Sequence, residues 1–174
     1  MLWVALYLVL SGILLALAWP QLRSPGRHGF YRFFAFEALF GLILFGAPAW
    51  FVDPLSAWQV ASWILLAGSL GLATHGFVVL HRYGAPRGSI ETTRRLVREG
   101  IYRSIRQPLY LSLMLAGAGA ALKRPGAWSG GLLLALGAFL LATARVEERE
   151  NVARFGTEYQ DYMRHTRRFI PFVF

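Results

Sequence analysis

Two short polar clusters hold most of the groups in this chain that could do chemistry. Arg106-Gln107-Pro108 with Tyr110 opens one apolar run, and Glu147-Glu148 closes the next. Pro108 suits the first turn of a helix, where its missing N–H costs nothing. A helix N-terminus presents free N–H groups and partial positive charge. Arg106 beside it supplies a planar fork able to grip a carboxylate or phosphate at two points. Glu147 and Glu148 are adjacent, so on a helix they point ~100° apart and at most one faces a shared pocket. If the chain folds back between the clusters, an arginine, a helix N-terminus and a carboxylate converge on one membrane surface. That trio suits a zwitterionic amino-acid group. The plainer readings are an arginine snorkelling to lipid headgroups and a solvated glutamate pair with Arg145 and Arg149 as helical neighbours.

Several other chemistries are excluded. The chain has no cysteine, which removes disulfides, thiolate nucleophiles and cysteine metal sites. His28, His75, His81 and His165 lack zinc-site spacing, so no metal is expected. Neither a Gly-x-Ser-x-Gly elbow nor a Walker loop occurs. Gly117-Ala118-Gly119-Ala120 lacks the third glycine and the preceding strand of a dinucleotide loop, and reads as helix packing.

The elements that must position the clusters are membrane helices. Of 174 residues, 56% are hydrophobic and 16% charged, too apolar for an ordinary soluble domain. Three runs, Met1–Trp19, Phe33–Val52 and Trp58–Leu80, are each long enough to cross a bilayer, which takes ~20 residues. The first has neither the basic leader nor the small-x-small site of a removable signal peptide. Two shorter runs, Leu109–Leu122 and Ala127–Ala144, are joined by Lys123-Arg124-Pro125-Gly126 as an antiparallel hairpin. The expected fold is an all-α membrane protein of about five transmembrane helices, ending in a helical hairpin and a cytoplasmic helical tail. Residues 1–80 read as a three-helix scaffold, and residues 81–174 as connector, hairpin and tail forming the catalytic region. The fourth segment barely spans, so its helix starts before Pro108 or sits at a thin place in the bilayer.

Charge sets the orientation. Of 18 Lys and Arg, 16 fall after segments one, three and five, whereas Lys123 and Arg124 stand alone on the other side. By the positive-inside rule the N-terminus is outside and the C-terminus cytoplasmic. The formal net charge of +9 thus belongs to one face. With no basic soluble domain, nucleic acid is not an expected partner, and arginines at that face suit anionic headgroups at ~1 kcal/mol each.

Smaller features carry their own expectations. After the Pro86-Arg87-Gly88 break, Glu91–Val97 is expected to lie along the interface as an amphipathic piece. The tail extends segment five as a helix until Gly156, and Thr157–Arg167 restarts another before Pro171. Ala116, Gly117, Gly119, Ala120 and Ala121 are expected to face Gly126, Gly130, Gly131 and Gly137 across the hairpin, because small residues allow close approach. Glu37, ionisable within a membrane segment, either meets a substrate or pairs with an arginine such as Arg32. His75 reads as a hydrogen-bonded core residue.

The pattern Gly100-x-Tyr102-x-x-x-Arg106-Gln107-Pro108-x-Tyr110, a hairpin, Glu147-Glu148, Phe155-Gly156-x-x-Tyr159 and Ile170-Pro171 resembles the isoprenylcysteine carboxyl methyltransferase group. That group is similar to phospholipid N-methyltransferases and to bacterial integral-membrane methyltransferases. The resemblance covers about residues 90–174, and the run His28–Glu37 resembles a bacterial branch, implying an inner-membrane location. It implies S-adenosyl-L-methionine as cofactor and a lipophilic acceptor (carboxylate, thiol or amine) entering from the bilayer. Carried over, Gly100, Tyr102, Arg106, Gln107, Pro108, Tyr110, Glu147 and Glu148 would bind the cofactor, with Arg106, Glu147 and Glu148 as the catalytic group. Many members have His where this chain has Gln107, and an amide cannot titrate near neutral pH.

Two other functions share part of this pattern. NADPH-dependent sterol-type membrane reductases have a similar C-terminal region, although an acidic pair fits an ammonium better than phosphates. A non-catalytic scaffold that binds lipid or a partner is the other.

Overall fold

A computed structural model describes residues 2–85, 93 and 95–170. Its helices are α1 (Leu2–Leu22), α2 (His28–Gly46), α3 (Ala57–Gly84), α4 (Pro108–Lys123), α5 (Ala127–Phe155) and α6 (Thr157–His165). Short 3-10 turns lie at Ala47–Ala49 and Gly100–Arg103. Among the described residues there is no strand, only an isolated parallel bridge between Ile105 and Arg167. The all-helical membrane architecture expected from hydropathy is the one observed.

Four helices (α1, α2 extended to Ala49, α3 and α5) are long and apolar enough to cross a membrane, and α4 is a shorter apolar helix. At 16 residues α4 measures about 24 Å, less than the ~30 Å hydrocarbon core. It starts at Pro108 and not before, so its length is not made up at that end. By contrast α5, with 29 residues, runs about 43 Å and projects beyond the core. Gly156, at φ +60°, breaks the chain between α5 and α6, a backbone conformation that costs glycine little. The helical restart at Thr157 follows as expected. Pro86–Gly88, Glu91, Thr92, Arg94 and Pro171 lie outside the described residues, and Arg95–Arg98 form no helix.

The hairpin arms α4 and α5 pack less on each other than on separate partners, α4 chiefly along α3 and α5 along α2. The core joins Ala35, Ala38, Leu39 and Leu42 of α2 to Leu136, Leu140 and Ala144 of α5, with Ala120 and Ala121 of α4. Small residues work differently from the expectation. A Cβ on Gly117 would lie 2.1 Å from Leu136 Cδ2, so glycine there admits a leucine rather than another small residue. Gly119 receives Leu66 of α3, while Gly126, Gly130, Gly131 and Gly137 face open space. Two hydroxyls one heptad apart on α3 tie it to α4. Ser62 donates to the Gly119 carbonyl at 2.6 Å, and Ser69 to the Ser112 carbonyl at 2.7 Å. Such bonds matter in a bilayer, where no water competes.

Three polar residues behave otherwise than the sequence suggests. Glu37 pairs with no arginine in α2; it accepts from Tyr7 at 2.9 Å and Ser11 at 2.6 Å, fastening the otherwise lipid-facing α1. His75 is exposed on α3, beside Gly100, rather than in the core. Lys123 does not sit in the exposed turn but is buried, donating to Gln59 Oε1 at 2.8 Å with its ammonium 3.4 Å from the Trp63 ring centre. The gain from that ring offsets part of the cost of burying a cation.

Candidate functional site

The segment before α4 is stitched to the C-terminal tail. Arg106 N–H donates to the Arg167 carbonyl at 2.7 Å, Gln107 N–H to the Arg168 carbonyl at 3.0 Å, and Arg167 N–H to the Ser104 carbonyl at 3.1 Å. Side chains reinforce this seam. Arg106 Nε donates to Glu148 Oε1 at 2.9 Å, and its Nη1 to the Thr166 and Met163 carbonyls. Arg168 Nη2 reaches Glu148 Oε2 at 2.6 Å. Glu148 is therefore a buried carboxylate gripped by two guanidinium groups, one from each side of the seam. The side chains of Arg106 and Glu148 are 8% and 4% exposed.

Glu147 points elsewhere, as the helical offset requires. It lines a cavity of about 370 Å³ bounded by the start of α4, the end of α5, α6 and Arg95–Val97. Its polar and aromatic lining comes from Tyr102, Gln107, Glu147, Asn151 and Tyr159. Its apolar lining comes from Phe36 of α2, Leu80 of α3, and Leu109 and Leu113 of α4. Arg32 and Arg106 also reach the cavity.

Of the residues singled out in the sequence, Tyr102, Arg106, Gln107, Pro108, Tyr110 and Glu147 line this cavity. Gly100 and Glu148 do not. Gly100 holds φ +56° against α3, where a Cβ would come within 2.9 Å of Val79 Cγ2. Its contribution is to let the Tyr102 turn approach α3. Sequence reasoning missed Asn151, although it lies one turn beyond Glu147 on the same helical face. It also missed Phe36, Leu80 and Arg168, for which no local spacing gives a sign.

Three tyrosines enclose the polar end. Tyr162 donates its hydroxyl to the Tyr102 carbonyl at 2.6 Å, and Arg98 lies over the Tyr162 ring. Burial raises the pKa of Tyr102 above the usual 10, and the Glu147 charge adds to it. Burial likewise raises Tyr159 and Tyr162. These phenols are neutral near pH 7, so they donate hydrogen bonds and do not serve as tyrosinate bases. Because the folded values lie above the unfolded one, their stabilising contribution is complete below pH 10 and is lost as pH rises beyond it. The unfolding midpoint in detergent is expected to lack any tyrosine-linked fall below about pH 10 and to drop progressively above it. A midpoint unchanged to about pH 12 would contradict the burial of these groups.

A model of the family described as phospholipid methyltransferase matches residues 58–158, more than half of the chain. The chain belongs to the phospholipid methyltransferase family. The matched stretch runs from α3 through α4 and α5 into α6, and takes in Arg106, Glu147 and Glu148. Methanethiol S-methyltransferase 2 of Bradyrhizobium diazoefficiens is 29% identical over 136 residues, covering 73% of this chain and 51% of that protein. The chain thus spans about half the length of that relative. Family membership agrees with the resemblance read from the Arg106 and Glu147-Glu148 patterns. Together with the apolar helices, it makes this an integral membrane protein.

Proposed function

We propose that the protein is an S-adenosyl-L-methionine-dependent methyltransferase acting on a small lipophilic acceptor at the membrane surface. The observation that carries this reading is the mixed lining of one cavity. It brings a carboxylate (Glu147), two amides (Gln107 and Asn151) and aromatic rings (Tyr102 and Tyr159) into one space with apolar side chains. That set fits the cofactor: a carboxylate for its ammonium, amides for its polar edges, and electron-rich rings beside a sulfonium. When bound, the cofactor supplies an activated methyl group on sulfur. The chain's own residues orient it, exclude water and align the acceptor, which is how positioning catalyses such a displacement.

The apolar residues Phe36, Leu80, Leu109 and Leu113 would take the acceptor. A volume of about 370 Å³, near the lower end of the ~300–1,000 Å³ usual for small-molecule sites, favours a small acceptor over an enclosed phospholipid. The relative's name points to a hydrophobic thiol. For such an acceptor the thiol proton must leave to solvent as the new sulfur–carbon bond forms, since Glu147, the carboxylate of the cavity, is engaged with the donor's ammonium. Gln107 would hold its place by hydrogen bonding alone. The catalytic region is residues 81–174, with α2 and α3 of the scaffold supplying Phe36 and Leu80. The cavity is lined by Arg32, Arg95 and Arg106, which belong to the arginine-rich stretches following segments one and three, and this supports a cytoplasmic donor site, an outside N-terminus and a bacterial inner-membrane location.

Calorimetric titration of the detergent-purified protein with S-adenosylhomocysteine, and separately with NADPH, tests the donor. Saturable binding of the first alone is expected. Binding of NADPH alone would favour a reductase, and binding of neither by folded protein would favour a scaffold. In proteoliposomes, methyl transfer from labelled donor to a short alkyl thiol should exceed transfer to a phospholipid amine.

A further inference from the structure

Glu148, which does not line the cavity described above, lines a separate concavity. It is an open cleft of about 500 Å³ lined by Arg145, Glu148, Arg149, Val152, Met163 and Arg168. Three of these six residues are arginines. Glu148 is the cleft's carboxylate, and it is already held by Arg106 and Arg168. No carboxylate among the described residues pairs with Arg145 or Arg149, which are exposed. Arg149 Nε is turned back toward the Arg145 carbonyl at 3.4 Å, bringing successive turns of α5 to one edge of the cleft. Val152 and Met163, both half-buried, add apolar surface to the same lining.

Depth decides what this cleft meets. Arg145 is the first charge after the uncharged run Ala127–Ala144, so it stands where α5 leaves the hydrocarbon. A guanidinium cluster at that level faces lipid phosphates on whichever side α5 emerges. Paired guanidinium groups match phosphate geometry, and each basic residue near an anionic surface contributes ~1 kcal/mol. The apolar floor suits the glycerol and upper acyl region attached to such a phosphate.

We propose that the cleft between Arg145, Arg149 and Arg168 binds the phosphate of an anionic phospholipid. A headgroup held there braces the tail that closes the neighbouring cavity, because Arg168 spans from the cleft to Glu148. The site is separate from methyl transfer, and its test needs no turnover.

The protein is reconstituted in nanodiscs of phosphatidylcholine with and without phosphatidylglycerol, and lipid retention and unfolding midpoint are measured. Wild type is expected to retain phosphatidylglycerol over phosphatidylcholine by about tenfold and to unfold at a higher temperature in its presence. R145Q/R149Q should lose most of both effects, and R145K/R149K should recover much of them. R23Q/R27Q removes the same charge from another part of the chain and should behave as wild type. Equal losses in R145Q/R149Q and R23Q/R27Q would mean general surface attraction and overturn the proposal. An absent preference in wild type, or equal stabilisation by inorganic phosphate in phosphatidylcholine discs, would also overturn it.

Discussion

Glu147→Ala is expected to weaken S-adenosylhomocysteine binding by about 10-fold to 150-fold, since hydrogen bonds to charged groups contribute roughly 1.5–3 kcal/mol. Glu147 lines the cavity and Glu148 does not, although the two are neighbours in sequence. The expected signatures of the two single variants therefore differ. Glu147→Ala should lose affinity with a small change in unfolding midpoint. Glu148→Ala should lower the midpoint strongly, because it strands Arg106 and Arg168. Separate titration and thermal unfolding of each variant distinguish them. Equal loss of stability in both, or undiminished binding by folded Glu147→Ala protein, would remove Glu147 from the donor site.

Replacing Arg106 by methionine has the largest expected cost to the fold. The Arg106–Glu148 pair is nearly solvent-free, and breaking such a pair costs about 3–5 kcal/mol because the remaining charge stays buried. Arg168 still holds Glu148 in this variant, which places the cost toward the lower figure. Loss of the donors to the Thr166 and Met163 carbonyls adds to it. For a chain of 174 residues, a midpoint lowered by about 10 °C is the corresponding readout. Arg106→Lys keeps the charge but not the fork, and should recover only part of the loss. The double variant Arg106→Met, Glu148→Met should be less destabilised than the sum of the two single variants, because the Arg106–Glu148 pair is lost only once. A double variant as unstable as the sum of the singles would show that the two side chains are not coupled.

Much of this architecture was legible in the chain. Apolar runs of membrane-spanning length announce α1, α2 and α3, and the shorter uncharged run Ala127–Ala144 announces α5, since burying backbone in lipid leaves few alternatives to a helix. The start of α4 followed from Pro108, and the break after α5 from Gly156. Both are local effects of one residue's backbone. Boundaries drawn at charges were less faithful: α2 continues back through Arg32 to His28, because a helix leaving the membrane has no reason to stop at its surface. Glu37 was seen as a polar residue within an apolar segment, but its partners, hydroxyls on α1, were not, and Lys123, read as part of the turn, is buried against Gln59 and Trp63.

The candidate site divides in the same way. Its motif residues are carried by the sequence, and so is the rule that adjacent glutamates on a helix face different directions. Which glutamate faces the cavity depends on how α5 is rotated against α2, and that rotation is fixed by the packing of Leu136, Leu140 and Ala144. Arg168 reaches Glu148 only because residues 104–107 pair with the tail, a contact between segments some sixty positions apart. The sequence by itself determined the membrane helices, the start of α4 at Pro108 and the break at Gly156, the family and the kinds of group available. Tertiary structure alone decided that Glu148 braces the fold while Glu147 lines the cavity, because periodicity acts within a helix and the choice between faces is made by its neighbours.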